Sequence, residues 1–276
     1  MDSLDALLAY ARPSARMSFS GTVCGLLDQD HDIDLGHLHL LRAGRMTVQP
    51  NVGDPVHLAE PGLVLLPRPL AHTLSADIGG SMALLCATID LGHRGGSPIA
   101  MALPAIVALP FATLPSLHPA LELLFSEFNG TASGRQAALD RLLEYILILL
   151  LRHQVEAGSS TTGVLAGLGD RRLARSLRAL HEQPQRAWTL QALAEEAGMS
   201  RARFAERFPQ VLGVTPMAYL AAWRLNLAKD LLLRGRPVKA VAAEAGYSGA
   251  AAFTRAFVRS AGVPPTEWLA HRSTPR

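Results

Sequence analysis

A chain of 276 residues, 49% apolar and 18% charged, can build packed cores and has room for one large domain or two ordinary ones, which excludes wholesale disorder. Its net charge of +3 divides unevenly at Asp170: residues 1–170 carry 9 Lys+Arg against 16 Asp+Glu (net −7), and residues 171–276 carry 17 against 7 (net +10). A polyanion such as nucleic acid therefore belongs to the C-terminal third, because each phosphate neutralised by Lys or Arg releases condensed counterions.

The chain opens MDSLDALLAY, with neither a basic n-region nor a small-residue cleavage site, so a cytoplasmic location is expected. Residues 17–110 consist of short apolar stretches broken by Gly, Pro and Asp, which predicts an all-β barrel or jelly roll over residues 1–115. HLHLL, followed about thirty residues later by PGLVLLPRPLAHTL, resembles the two motifs of the cupin fold. In metal-binding cupins an HxH pair, a glutamate and a second-motif histidine meet inside the barrel. Strand alternation sends His37 and His39 to one face, and His72 fits the second motif. The glutamate is missing, and Arg42 in its neighbourhood is expected to repel a cation. Two readings stay open: a divalent metal such as zinc on His39, His72 and either His37 or Cys86, or histidines lining a ligand cavity or satisfied in the barrel wall.

Cys24 and Cys86 each lie in an apolar, strand-like run, and a reducing compartment disfavours a permanent bridge between them. They read either as small buried hydrophobes or, by resemblance to thiol switches among cupin-type regulators, as sensors of oxidants or electrophiles. With His39 and His72 they form the candidate sensing set for an unidentified oxidant or small molecule.

Segment 116–170 holds two predicted helices, 117–128 and 135–157. The second contains the longest apolar run, Tyr145–Leu151, far short of the roughly 20 residues of a membrane span, so no membrane partner is expected. It is apolar on more than one face, which leaves two readings: packing solely against the barrel, or burial beyond it in a homodimer formed through this helix, and the homodimer is expected.

Residues 171–276 contain one pattern written twice. In the first copy (188–209) Thr189 caps a short helix with Leu190, Leu193, Ala194 and Ala197 on one face. Gly198 permits a left-handed turn, and Ser200 caps a second helix carrying Phe204 and Phe208. The second copy (237–259) repeats these devices: Val241 stands for Leu193, Gly246 for Gly198 and Ser248 for Ser200. After a one-residue insertion, Phe253, Phe257, Gly262, Pro265 and Trp268 stand for Phe204, Phe208, Gly213, Pro216 and Tyr219. Helix, glycine turn, helix is the layout of a helix-turn-helix.

Two such units joined by PMAYLAAWRLNLAKDLLLRG, with the block GYS…AFTRAF…GVPPTEW, resemble the DNA-binding domain of the AraC/XylS family of transcription regulators. The resemblance implies an α+β chain of two domains: a cupin-like barrel with a helical linker, then an all-α domain placing two recognition helices in adjacent major grooves of promoter DNA. With Phe204 and Phe208 buried, Ser200, Arg201, Ala202, Arg203, Ala205, Glu206 and Arg207 are left toward DNA, and the family's base-contacting positions fall on Ala202, Ala205 and Glu206. In the second copy they fall on Ala250, Ala251, Ala252 and Arg255. Alanine makes no hydrogen bond to a base edge, so Arg255, Thr254 and Arg259 are expected to position phosphates.

Together these features predict a sequence-specific regulator controlled by its barrel. By resemblance it is an activator, with RNA polymerase as a further partner, and it is not an enzyme. The alternatives are a cupin metalloenzyme fused to a DNA-binding module and an architectural DNA binder without sensing.

Overall fold

The computed structural model describes residues 3–28, 35–92, 97–157 and 163–273. These fall into two compact units, residues 11–160 and residues 1–10 together with 161–276.

The first unit is built from antiparallel strands. A five-stranded sheet runs in the order β1 (Ser14–Val23), β8 (Met82–Asp90), β3 (Gly36–Ala43), β6 (Gly62–Leu66), β9 (Val107–Pro110). A four-stranded sheet runs β2 (Leu26–Asp28), β7 (His72–Ser75), β4 (Met46–Pro50), β5 (Val56–Leu58). Alternation along each strand delivers one set of side chains to a shared interior. Leu41, Val64, Leu66, Met82, Leu84 and Cys86 from the first sheet meet Met46, Val48, Leu58 and Leu74 from the second. This is the double-sheet barrel that the spacing predicts. One element is unforeseen: between β8 and β9 the chain forms a short helix, α2 (Pro98–Ala102), whose start is capped by the Ser97 side chain accepting from Ala100 N–H.

Leu38, Leu40, Leu63 and Leu65 alternate outward and are still fully buried, so the outer face of the five-stranded sheet is covered as well. Part of the cover is helical. α4 (Arg135–Glu156) packs along β1 and against α3 (His118–Asn129). At the bulge between Met17 and Phe19, the Met17 N–H donates to Asp140 Oδ1 at 3.1 Å, so the helix satisfies a backbone group that the strand pairing leaves over. The apolar residues of α4 from Leu139 through Leu151 are mostly buried, and Tyr145 remains half-exposed.

The second unit is helical: α1 (Ser3–Ala11), α5 (Val164–Gly169), α6 (Arg171–Glu182), α7 (Leu190–Ala197), α8 (Arg201–Leu212), α9 (Pro216–Leu233), α10 (Val238–Glu244), α11 (Ala250–Ala261) and α12 (Pro265–Ser273). α7 and α8 form the first helix-turn-helix and α10 and α11 the second, with α9 between them. Thr189 Oγ1 accepts from Ala192 N–H and Ser200 Oγ from Arg203 N–H, so both predicted caps of the first copy form. In the second copy the cap position of α11 is Gly249, which offers no side-chain oxygen. Ser248 does not take the role of Ser200, because the inserted residue moves the helix start past it. Gly198 (φ +63°) and Gly246 (φ +78°) hold the left-handed turns. Gly246 is also a point of close approach: a Cβ there would lie 2.7 Å from Gln185 Cα and 3.0 Å from the Arg224 guanidinium. Arg224 in turn donates to the carbonyls of Pro184 (2.7 Å) and Arg186 (2.9 Å), tying α9 to the segment before α7 and the turn of the second module to both.

Candidate functional site

The two recognition helices rest on matching cores. Phe204 and Phe208 are fully buried with ring centroids 5.3 Å apart, and Phe253 and Phe257 are fully buried at 5.5 Å. Behind them Tyr219 meets Phe208 edge-on at 5.9 Å and Trp268 meets Phe257 edge-on at 5.6 Å. These pairs reproduce the repeat register in space. His181, which no motif in the sequence marks, completes only the first core: its Nε2 lies 2.8 Å from the Tyr219 hydroxyl and its ring stacks on Trp223 at 3.8 Å. Burial pushes its pKa down to about 3, so it is neutral in the folded chain.

Opposite the phenylalanines, α8 exposes Arg201, Ala202, Arg203, Glu206 and Arg207, with Ala205 half-buried. Helical geometry puts Ala202, Arg203, Glu206 and Gln210 at the centre of that face and Arg207 at its flank. Gln210 is exposed and was not among the predicted residues, since it lies past the edge of the repeated motif; its place one turn beyond Glu206 is the signal that could have found it. Arg207 has a partner inside the unit: its Nε and Nη2 both donate to Asp170 Oδ2 at 3.2 Å. Asp170 also accepts from the Arg172 and Leu173 backbone N–H groups at the start of α6. Partial burial acts to raise the pKa of its carboxyl, but these donors together with Arg207 hold it below the ordinary carboxylate value.

On α11 the central exposed positions are Ala251, Arg255 and Arg259, with Ala250 exposed at the start and Ala252 and Thr254 half-buried. Ser200 is exposed and committed to its cap.

Inside the barrel, His37, His39 and His72 converge, each at most 2% exposed, with one ring nitrogen from each lying within 4.8 Å of the others. β3 and β7 belong to different sheets, so this meeting is produced by the closure of the barrel. His72 Nδ1 donates to the Leu70 carbonyl at 2.7 Å, which leaves its Nε2 lone pair directed at His39 Nε2, 2.8 Å away. His39 Nδ1 has no hydrogen-bond partner among the described residues. Burial first, then the neighbouring His72 and His37, push the pKa of His39 well below the ordinary imidazole value. Three converging imidazoles, one of them anchored through its second nitrogen, form a donor set that suits zinc.

Arg42 does not oppose this. Its side chain is exposed on the outer side, over the Phe125 ring at 5.2 Å, away from the interior. Alternation gives the reason: His37, His39 and Leu41 share the interior parity, so Arg42 falls with Leu38 and Leu40 on the outer side, which the expected repulsion overlooked.

The cysteines differ from each other. Cys86 pairs in register with His39, so its side chain shares the interior face, fully buried, and burial raises its thiol pKa to about 12. Cys24 lies at the bend after β1 and is exposed, not in a strand as its apolar neighbours suggested. Val23 pairs with Met82, so Cys86 sits about 13 Å further along β8. A bridge needs Cα atoms within roughly 7 Å and cannot form between these two in this fold.

A double-sheet barrel joined to two helix-turn-helix modules on one connecting helix defines a class of protein: a DNA-binding transcription regulator with a cupin-type N-terminal domain. Residues 2–156 match the cupin family, and residues 193–271 match a helix-turn-helix domain. The chain belongs to the AraC-like transcription regulators whose N-terminal domain is a cupin. It is 28% identical to a putative AraC-like transcription regulator of Streptomyces lividans over 304 aligned positions, covering 100% of each chain. It is also 28% identical to RclR of Escherichia coli, an RCS-specific HTH-type transcriptional activator, over 97% of each. The solved structure of ToxT from Vibrio cholerae O395 matches 95% of this chain and 98% of its own at 12% identity, with a TM-score of 0.43. The sequence relatives are transcription regulators, which sets the metalloenzyme reading aside. Among the described residues no helix is long and apolar enough to cross a membrane.

Proposed function

We propose that this regulator is a cytoplasmic transcription activator in which α8 selects the promoter sequence, α11 clamps the adjacent groove, and the barrel interior receives the signal. The observation that carries the DNA half is the unequal outer faces of two helices with equal cores. In the repeat register Arg201, Arg203 and Arg207 of α8 are matched by Ala250, Ala252 and Ala256 of α11, so the first face keeps side chains that can reach base edges where the second has alanine. Arg201 stands at the start of α8, where the N-terminal turn of a recognition helix meets base edges. Arg255 and Arg259 carry the charge of α11 and bind phosphates, with Thr254 at their flank. Selection of bound duplexes from a random pool tests this reading: it expects a motif stronger over the half-site of α8, and bound duplexes without any motif would refute it.

For the signal, the histidine cluster with Cys86 across from His39 supports a small-molecule or metal effector. A zinc ion would be held by His37, His39 and His72 and would supply a Lewis-acidic open position in an otherwise apolar barrel. The chain's own residues then set access and orientation: Leu70 fixes the His72 ring through its carbonyl, and Cys86 presents a neutral thiol beside His39. An oxidant or electrophile acting at Cys86 needs the barrel to open first, whereas Cys24 is reachable as the protein stands. Effector binding shifts the populations of two arrangements of the regulator, with RNA polymerase and a second copy on a neighbouring half-site as its partners. Metal content of the purified protein, compared with that of His39→Ala, together with reporter output from Cys24→Ala and Cys86→Ala, separates the metal and thiol signals. Equal metal content and normal responses in all three would remove both.

A further inference from the structure

We infer that α6, outside both helix-turn-helix modules, is a third DNA-contacting element that clamps the sugar-phosphate backbone beside the groove occupied by α8, an inference that rests on the DNA-binding reading of α8.

The buried side of α6 is Leu173, Ala174, Ser176, Leu177, Leu180 and His181. Its exposed side is arginine: Arg171, Arg175 and Arg178 lie in one row at i, i+4 and i+7, flanked by Arg172, all exposed, with Glu182 ending the row. At the rise of an α-helix that row places three cations along about 10 Å. Arg171, Arg172 and Arg175 make no ion pair among the described residues. Exposed arginines stacked on one face repel one another, so a partner of opposite sign stabilises the arrangement.

Two interactions fix where the row lies. Asp170, the cap of α6, is bound by Arg207 from the flank of α8, which sets the start of α6 beside the recognition helix. Further along, Arg175 Nη1 lies 3.3 Å from the place a Cβ would occupy on Gly198, against the turn that leads into α8. The row therefore tracks the edge of the first module. A major groove is about 12 Å wide and a helix with its side chains about 10–12 Å across, so a helix filling the groove brings flanking elements onto the phosphates at its rim. Asp170 does not oppose that approach, since its charge is shared among two backbone N–H groups and Arg207.

The test is the salt dependence of binding by the full chain to a fixed-sequence duplex and to a duplex selected from a random pool. Replacing Arg171, Arg172 and Arg175 together by Gln is expected to make the slope of log K against log salt shallower by about 0.9 for each phosphate no longer neutralised. The affinity ratio between selected and fixed duplexes should stay unchanged, because phosphate contacts carry no sequence information. The triple Lys variant should keep the wild-type slope, and Arg172→Gln alone gives a smaller version of the same change should the triple variant misfold. An unchanged slope in a folded Gln variant overturns the proposal. A wild-type protein without sequence preference instead refutes the role of α8, and the slope difference still reports on α6.

Discussion

The two helix-turn-helix modules have the same interior and different exteriors. Phenylalanine pairs at nearly equal spacing, edge-on aromatic partners behind them and a left-handed glycine turn before them recur in both. Outside, α8 has a serine cap, arginines at three positions and an ion pair to the cap of the neighbouring helix, while α11 begins with three alanines after a glycine that has no side chain to accept a helix N–H. A core tolerates few changes because packing is dense, whereas a solvent face is free to differ and so records what each copy is used for.

The largest expected effect tests the sameness. Phe204→Ala and Phe253→Ala should each destabilise the helical unit by about 3–5 kcal/mol in denaturant unfolding, from reduced burial plus the cavity left behind. Widely different costs would break the equivalence of the two cores. Next comes the difference. Arg203→Ala should lose about 1–3 kcal/mol of discrimination between selected and altered half-sites, and Arg255→Ala should weaken binding evenly across sequences, both read by fluorescence anisotropy at fixed salt. The reverse outcome would exchange the roles.

A third effect belongs to the first module, where His181 is buried. Its folded pKa is depressed, so the unfolded chain binds the proton more readily below about pH 6.5. Stability from this group is present above that pH and is lost as pH falls toward about 3, at up to about 1.4 kcal/mol per pH unit. His181→Phe should flatten that slope in urea titrations across the window; an unaltered slope would show that other groups set it. The smallest effect is at the caps. Ser200→Ala should cost about 1 kcal/mol of thermal stability, and Ser248→Ala less than about 0.5, since Ser200 receives a backbone N–H and the start of α11 has no side-chain cap.

The recognition helices, their turns and their phenylalanines were legible because a helix-turn-helix is a local device: caps, glycines and 3.6-residue periodicity lie within one short segment. The uncapped start of α11 was not, since a single inserted residue decides which side chain reaches the first free N–H. Arg207 looked available for DNA, but Asp170, 37 positions away in the chain, stands beside it. The arginine row of α6 was visible as charge but had no direction before Asp170 and Gly198 located it.

By itself the sequence determined the division into an acidic β unit and a basic helical unit, the repeat and its register, and which histidines could share a strand face. These follow from composition and periodicity, which act over neighbouring residues. Only the tertiary structure decided that His72 meets His37 and His39, and that Cys86 is sealed beside them while Cys24 is exposed. Each of those depends on how strands from two sheets close around one interior and where each strand ends, and pairing across such distances is set by the packing of the whole unit.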